Sequence, residues 1–453
     1  MITESNPYAG RRTVVLGLGR SGMAAARLLR RCGAEVTALD SGDSELLSER
    51  AGKLREEGIT VITGAQAEHD PVRHDLAILS PGIVETVPLV TNATSKGTPL
   101  IGELELAFTL TTVPVVAITG TNGKTTTTEL TARMLGGAGL RSAACGNIGT
   151  PMSELLLEEG KLDVFAAEVS SFQLETIRTF RPKVALWLNL SPNHLDRYPS
   201  MKEYREAKMR IFMNQTEEDW AVVLAGEERP GIKAQRISFS TTDPTADITL
   251  ENGRMIMHRG KLLLDLETTG LRGPHNAANL MAAFGAGIAL GADPGRMASS
   301  IGDYAPPAHR CEFIAEGGGV RWINDSKATN LDAMEQAIRS VEGPLILIAG
   351  GKDKGFEFVP IAPLVRERVS LAVLIGEMRH RIARDWAPVP TVIAETLDEA
   401  VSVAASKAAP GSTVLFSPGT SSFDMFRDYI RRGEAFRSLV MALPHQMGLP
   451  DQP

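Results

Sequence analysis

The stretch VVAITGTNGKTTTTEL (residues 115–130) runs from an apolar segment through a two-glycine turn into Gly-Lys-Thr. A phosphate-binding loop of the common form has its first Gly five residues before the Gly-Lys pair. Here that position is Ile118, and the first Gly is Gly120. The β-branched run predicts a strand, and residues 125–128 open a helix. Glycine lacks a Cβ, so the backbone N–H groups of such a loop can approach phosphate oxygens, and a helix start favours an anion. The helix dipole contributes only ~0.3–1 kcal/mol at exposed sites, so Lys124 and a metal must supply most of the attraction. Thr125 stands where a P-loop hydroxyl meets Mg²⁺. The competing reading is a tight strand-to-helix turn carrying a solvated lysine; Gly-Lys-Thr in this setting favours the nucleotide.

Outward from this loop, short apolar runs alternate with amphipathic segments, the pattern of α/β layers. Strands are predicted at residues 13–16, 35–39, 76–79, 115–118, 164–169, 184–190, 345–349, 371–375 and 413–416, with helices at 23–31 and 125–135 among others. Residues 220–266 have shorter alternating runs that read as an antiparallel insertion. At 453 residues the chain exceeds one ordinary core. Breaks near 102–112 and in the turn-rich segment 302–308 suggest three units.

The formal charge, 47 basic against 54 acidic residues giving −7, lacks the basic stripe of a nucleic-acid binder. Phosphorylated ligands therefore require locally concentrated positive charge. Cys32, Cys145 and Cys311 are widely spaced with no CxxC pair, which argues against disulfides or zinc and suits a reducing cytosol. No apolar run approaches the ~20 residues of a membrane span, and the N-terminus lacks signal-peptide character. A cytoplasmic protein without membrane insertion is expected.

Further candidates lie at predicted strand ends, which converge on the ligand crevice of an open α/β sheet. Glu168 ends one apolar strand and could hold a cation as a Walker-B acid does. His194 follows the run ending in LNL. Singly, a solvated Glu and a hydrogen-bonded structural His are equally good readings. Near the N-terminus, VVLGLGRSG has Gly17, Gly19 and Gly22 in GxGxxG spacing, with Asp40 ending the next strand; by itself this implies NAD binding or a helix-packing turn.

The loop GTNGKT, followed in order by GNIGTP, EVSSFQLE, LNLSPNHLDRY, GPHNAAN, HRCEF, NDSKATN, GGKDKGFEF and SPGTSSFDMF, resembles the Mur ligases, ATP-dependent amino-acid ligases of peptidoglycan synthesis. The shortened loop is that family's form, and the resemblance covers nearly the whole chain. It implies three α/β domains: a Rossmann-like UDP-substrate domain (1–103), a central P-loop ATPase-like domain (104–306) and a Rossmann-like amino-acid domain (307–453). The HRCEF, INDSKATN and SPNHLDRY forms are most similar to the branch joining D-glutamate to UDP-N-acetylmuramoyl-L-alanine through an acyl phosphate. A monomer is expected.

The resemblance distributes the site residues. It assigns Arg20, Ser21, Asp40, Ser41, Ser80 and Gly82 to the UDP substrate, since UDP also offers a diphosphate and ribose, joined by Asn147, Ser170 and His194. ATP falls to Gly120, Thr121, Asn122, Gly123, Lys124, Thr125 and Thr126, with His275, Asn276, Asn279, His309, Arg310, Asp325 and Lys327. Arg310 suits the spread charge of a transferring phosphoryl group. Thr329, Lys354, Ser422, Phe423 and Tyr429 match the region receiving D-glutamate, although Lys352 competes with Lys354. Two Mg²⁺ ions are implied, one at Thr125 and Glu168, the other at His194 and a carbamylated Lys208. The local pattern MKEYREAKMRIF gives no sign of that modification: Lys208 on this charged helix reads as solvated surface.

Overall fold

The computed structural model describes residues 6–81, 83–147, 149–158, 160–194, 197–226, 231–271, 273–304, 308–341, 343–354 and 356–443. Gly82, expected at the UDP-substrate site, lies outside them. The chain is a three-sheet α/β protein. By packing it forms two compact units: one contains the chain up to Leu190 with Tyr204–Tyr304, the other Ser191–Glu203 with the chain after Tyr304.

The first sheet is wholly parallel, in the order Thr60–Thr63, Glu35–Asp40, Arg12–Leu16, Leu76–Leu79, Leu100–Gly102. Strand order reverses beside Arg12–Leu16, so Gly17 and Ser80 emerge together at the carboxyl ends, where such sheets bind ligands.

Among the described residues the central sheet has nine strands. Its middle places Val115–Thr119 between Val164–Glu168 and Val184–Trp187, all parallel. Helices cover both faces, so Val115–Thr119 is buried at all five positions and reads as a continuous apolar run. The expectation of an antiparallel insertion over 220–266 is corrected. Trp220–Leu224, Gln235–Ser240 and Ile248–Glu251 extend the same sheet in parallel, and only Met255–His258 and Lys261–Asp265 add antiparallel strands at its edge. Short alternating runs there reflect an edge, not a separate module. The strand expected over 184–190 ends at Trp187, since the chain leaves the sheet to meet the phosphate loop.

The helix Glu103–Thr109 couples these two sheets. Glu105 is buried and accepts from the N–H groups of Arg178 (3.0 Å), Thr179 (2.7 Å) and Phe180 (3.0 Å) and from Thr179 Oγ1 (2.6 Å). Glu103 accepts from Ser153 N–H at 2.7 Å, and burial pushes its carboxyl above the usual range. One continuous apolar core runs from Val15 and Leu28 through Leu104 and Leu106 to Phe165 and Trp187.

The third sheet, in the second unit, orders Glu312–Gly317, Val320–Asn324, Thr413–Phe416, Leu345–Gly350, Val369–Ile375, Thr391–Ile393. Among the described strands of this sheet, Glu312–Gly317 is the antiparallel one, at the edge. Separate apolar clusters fill its two faces, around Leu347 and Leu415 on one side and Ile346 and Phe416 on the other.

Candidate active site

The phosphate loop joins Val115–Thr119 to the helix Lys124–Gly137. Gly123 caps that helix in a left-handed conformation (φ 82°), and a Cβ there would lie 2.3 Å from Asn279 Oδ1. Only glycine satisfies both the dihedral and the contact. Asn279, from the helix Pro274–Ala289 packed alongside, also accepts from Thr127 Oγ1 at 3.2 Å. His275 and Asn276 are half-buried on that helix's first turn. Lys124 curls over the loop and donates to the carbonyls of Gly120 (3.0 Å) and Thr121 (2.7 Å). Thr126 is fully buried.

Two strand ends of the same sheet bring a carboxylate and an amide to the start of this helix. Glu168, 2% exposed at the exit of Val164–Glu168, accepts from Thr125 Oγ1 at 2.8 Å and from Asn147 Nδ2 at 3.0 Å. Among the described residues no group of three or more His, Cys, Asp or Glu side chains could hold a metal ion. The Thr125–Glu168 pair offers two hard oxygen donors, the type Mg²⁺ takes when phosphates and water complete its shell.

Lys208 is the clearest departure from its local sequence. Instead of standing in water it is 1% exposed, on the helix Met201–Met209. Its Nζ donates to Gly120 O at 2.8 Å, with Thr119 Oγ1 at 3.5 Å and the Tyr204 ring centroid at 4.8 Å. Burial, reinforced by the nearby Lys124 charge, pushes its amine well below the usual lysine range, with Glu168 opposing. Such an amine is readily neutral and nucleophilic.

In the first sheet the fingerprint glycines separate into two kinds. A Cβ on Gly22 would stand 1.8 Å from Gly17 O, so that glycine is required for helix-to-loop packing. Gly19 has nothing within 4 Å of an added Cβ, leaving the loop open to a ligand. Asp40 braces the loop, accepting from Leu18 N–H (2.7 Å) and Gly42 N–H (3.0 Å), and Ser80 Oγ donates to Gly17 O at 2.9 Å. Ser21 is half-buried and Ser41 exposed beside it. Arg20 reaches out of the crevice to Glu154 (2.9 Å) and Gly149 O (2.8 Å). Ser170 caps the short helix Ser171–Glu175 in a reciprocal pairing with Gln173. His194 has a left-handed backbone, φ 56°, and its N–H donates to Asn193 Oδ1 at 3.0 Å.

In the second unit, Asp325 follows Val320–Asn324 and is buried. It accepts from Ser417 Oγ at 2.7 Å and Cys311 N–H at 3.2 Å; burial nevertheless raises its carboxyl to about 6. His309 is buried, its N–H donating to Glu312 Oε2 at 3.0 Å, and burial lowers its imidazole. Arg310 is half-buried between these two residues in sequence. Lys327 Nζ stands 5.8 Å from the Tyr429 ring centroid. Lys354 Nζ reaches Thr329 O at 3.5 Å, whereas Lys352 is exposed. Ser422 is buried and Phe423 exposed.

Three residues not singled out from sequence also build these sites. Asn189 pins the phosphate loop, Tyr204 covers Lys208, and Arg432 joins two loops of the second unit. Arg432, 1% exposed, donates to Ser326 O at 2.8 Å and Thr420 O at 3.2 Å, and burial lowers it to about 10. Of these, Asn189 left a readable signal, a polar residue within the otherwise apolar run expected as a strand over 184–190.

Family models match in three consecutive blocks: the MurD-like Mur ligase N-terminal domain over residues 11–102, the Mur ligase middle domain over 118–287 and the Mur ligase glutamate ligase domain over 309–419. The chain is 42% identical over 449 residues to the UDP-N-acetylmuramoylalanine--D-glutamate ligase of Geobacter metallireducens, covering 96% of this chain and 98% of that one. A protein of the same name from Geotalea uraniireducens is 40% identical, with 97% and 99% covered. Among solved structures, UDP-N-acetylmuramate-alanine ligase MurC from Thermotoga maritima shares the fold at TM-score 0.62 and 19% identity, covering 95% of this chain and 99% of that one. MurF ligase from Thermotoga maritima in complex with ADP shares it at TM-score 0.59 and 16% identity, with 97% of each covered. Among the described residues no helix is long and apolar enough to cross a membrane. With all three family blocks in order and near-complete alignment to named relatives, the chain belongs to the Mur ligase family.

Proposed function

We propose that the chain joins D-glutamate to UDP-N-acetylmuramoyl-L-alanine, using ATP and releasing ADP and phosphate. The observation that carries this reading is the 42% identity, along 96% of the chain, to a ligase of that name. A phosphate loop with Thr125 facing Glu168 at 2.8 Å supports it.

In the reaction, a carboxylate oxygen of the UDP substrate bonds to the γ-phosphorus of ATP while the β–γ bridging bond breaks, leaving ADP. The D-glutamate amine attacks the acyl carbon and loses a proton, and phosphate departs with its electron pair as the amide forms. Lys124 supplies positive charge to the phosphates within a protein of net charge −7. Thr125 and Glu168 would hold Mg²⁺, which when bound neutralises phosphate charge. Arg310 is assigned to the transferring phosphoryl group. Lys354, Thr329 and Ser422 are assigned to the D-glutamate carboxylates, and the open face at Gly19 to the UDP diphosphate. Holding amine and acyl phosphate together accounts for part of the ~7–11 kcal/mol available from orientation.

For Lys208 we propose carbamylation: the neutral amine bonds to the carbon of CO₂ and releases one proton, leaving an anionic carbamate. Its burial beside Lys124 supports this, because both disfavour the ammonium form, while the Lys124 charge favours an anion at the same place.

The test is phosphate release with ATP, UDP-N-acetylmuramoyl-L-alanine and a panel of amino acids. Strict dependence on D-glutamate is expected. Equal release with L-lysine or diaminopimelate would reassign the substrate, and binding of nicotinamide dinucleotide in place of ATP would overturn the ligase reading.

A further inference from the structure

The abbreviated loop raises a physical problem that its own backbone does not solve. Residues 120–123 must hold a fixed path between strand and helix with less chain than the common form provides. A side chain from the adjacent strand exit supplies what is missing.

Asn189 lies just beyond Val184–Trp187, where Leu188 N–H still donates to Thr119 O at 3.0 Å. Its Oδ1 accepts from Asn122 N–H at 2.9 Å, and its Nδ2 donates to Asn122 O at 3.1 Å. Thr121 N–H is shared between Asn189 Oδ1 and Asn189 O, both at 3.1 Å. A side-chain amide that both accepts from and donates to one residue reproduces the pairing of a peptide unit in a ladder. The neighbouring contacts leave little slack: a Cβ on Gly120 would stand 2.9 Å from Leu188 Cβ and 3.3 Å from Asn189 N.

We propose that Asn189 is a positioning residue for nucleotide, standing in for the backbone that the shortened phosphate loop lacks. It holds Thr121 and Asn122 so that Gly123, Lys124 and Thr125 face the phosphates. This rests on the loop being the ATP cradle, as proposed above. The Asn189 side chain pairs with the backbone of Thr121 and Asn122, so its loss acts on nucleotide binding more than on the other two substrates.

The experiment compares wild type, Asn189→Ala and Asn189→Asp by ADP titration, substrate kinetics and amide hydrogen exchange. For Asn189→Ala the expected result is ADP binding weakened about ten- to hundred-fold. The KM for ATP should rise, that for D-glutamate should stay within twofold, and exchange should quicken at Thr121 and Asn122. Asn189→Asp keeps the acceptor oxygen and should restore protection of those two amides, a readout available even if the alanine variant fails to fold. Wild type that binds no ADP would overturn the nucleotide reading. Wild type that binds, with Asn189→Ala unchanged in affinity and exchange, or Asn189→Asp as unprotected as alanine, would overturn the role of Asn189 alone.

Discussion

Thr125 Oγ1 donates to Glu168 Oε2 across 2.8 Å, tying the first turn of the loop helix to the exit of the neighbouring strand. Because Glu168 also accepts from Asn147, its carboxylate is fixed before any ligand arrives. Glu168→Gln should therefore lower turnover at least about 100-fold, the scale on which loss of one preorganised charged group acts. Phosphate release across a Mg²⁺ titration checks this. Wild-type turnover with an unchanged Mg²⁺ midpoint would remove Glu168 from the metal site.

Lys208 gives a prediction in which stability and activity move apart. In protein freed of CO₂, where Lys208 is the unmodified amine, Lys208→Met keeps the stem's volume and removes a buried amine, so the melting temperature should rise while activity is lost. The folded protein holds this lysine below its unfolded value of 10.5. The unfolded chain therefore binds more protons, and wild-type stability increases with pH across that window. The stabilisation by methionine should shrink as pH rises towards 10.5, which thermal melts across pH test directly. If carbamylation occupies the site, Lys208→Ala should regain activity with short carboxylates, and intact-mass measurement of native protein should show an added CO₂.

Asp325 behaves in the opposite sense. Burial raises its carboxyl from 3.8 to about 6, so the folded state binds more protons between those values. Stability from this group is fully present below about pH 4 and lost as pH rises through about 6. Asp325→Asn should stabilise the protein by at most about 3 kcal/mol at pH 7 and by nothing at pH 4. Denaturant titrations at the two pH values decide it.

The two lysines of GGKDKG should separate kinetically. Lys354 is drawn in to Thr329 O while Lys352 is exposed, so Lys354→Ala should raise the KM for D-glutamate about tenfold or more. Lys352→Ala should leave it within twofold. The reverse ranking would move the amino-acid site.

Glu105 takes four donors from residues 178–180. Its replacement by Ala strands buried N–H groups and should cost about 3–5 kcal/mol, measured by denaturant unfolding.

Strands covered on both faces were the most legible part of the fold. Leu76–Leu79 and Thr413–Phe416 are buried at every position and match their predicted bounds. The edge of the central sheet misled because one exposed face produces alternation whether its neighbour is parallel or antiparallel. Around Gly-Lys-Thr the strand, glycine turn and helix start were readable because their residues are contiguous. Lys208 was not: the segment MKEYREAKMRIF contains Tyr204, which covers it, but Gly120, which accepts from its Nζ, is 88 positions away. Asn189 shows only as a polar residue within an apolar run, and its partners lie in a turn 67 positions earlier.

The helix Glu103–Thr109 bears on how these enzymes could be recombined. A chimera that exchanges substrate modules has its seam inside a carboxylate network, with Glu103 held by Ser153 and Glu105 by residues 178–180. A graft crossing here must carry the acceptors and their donors from one parent. Otherwise the hybrid inherits mismatched polar groups in its interior, however well its two catalytic halves are chosen.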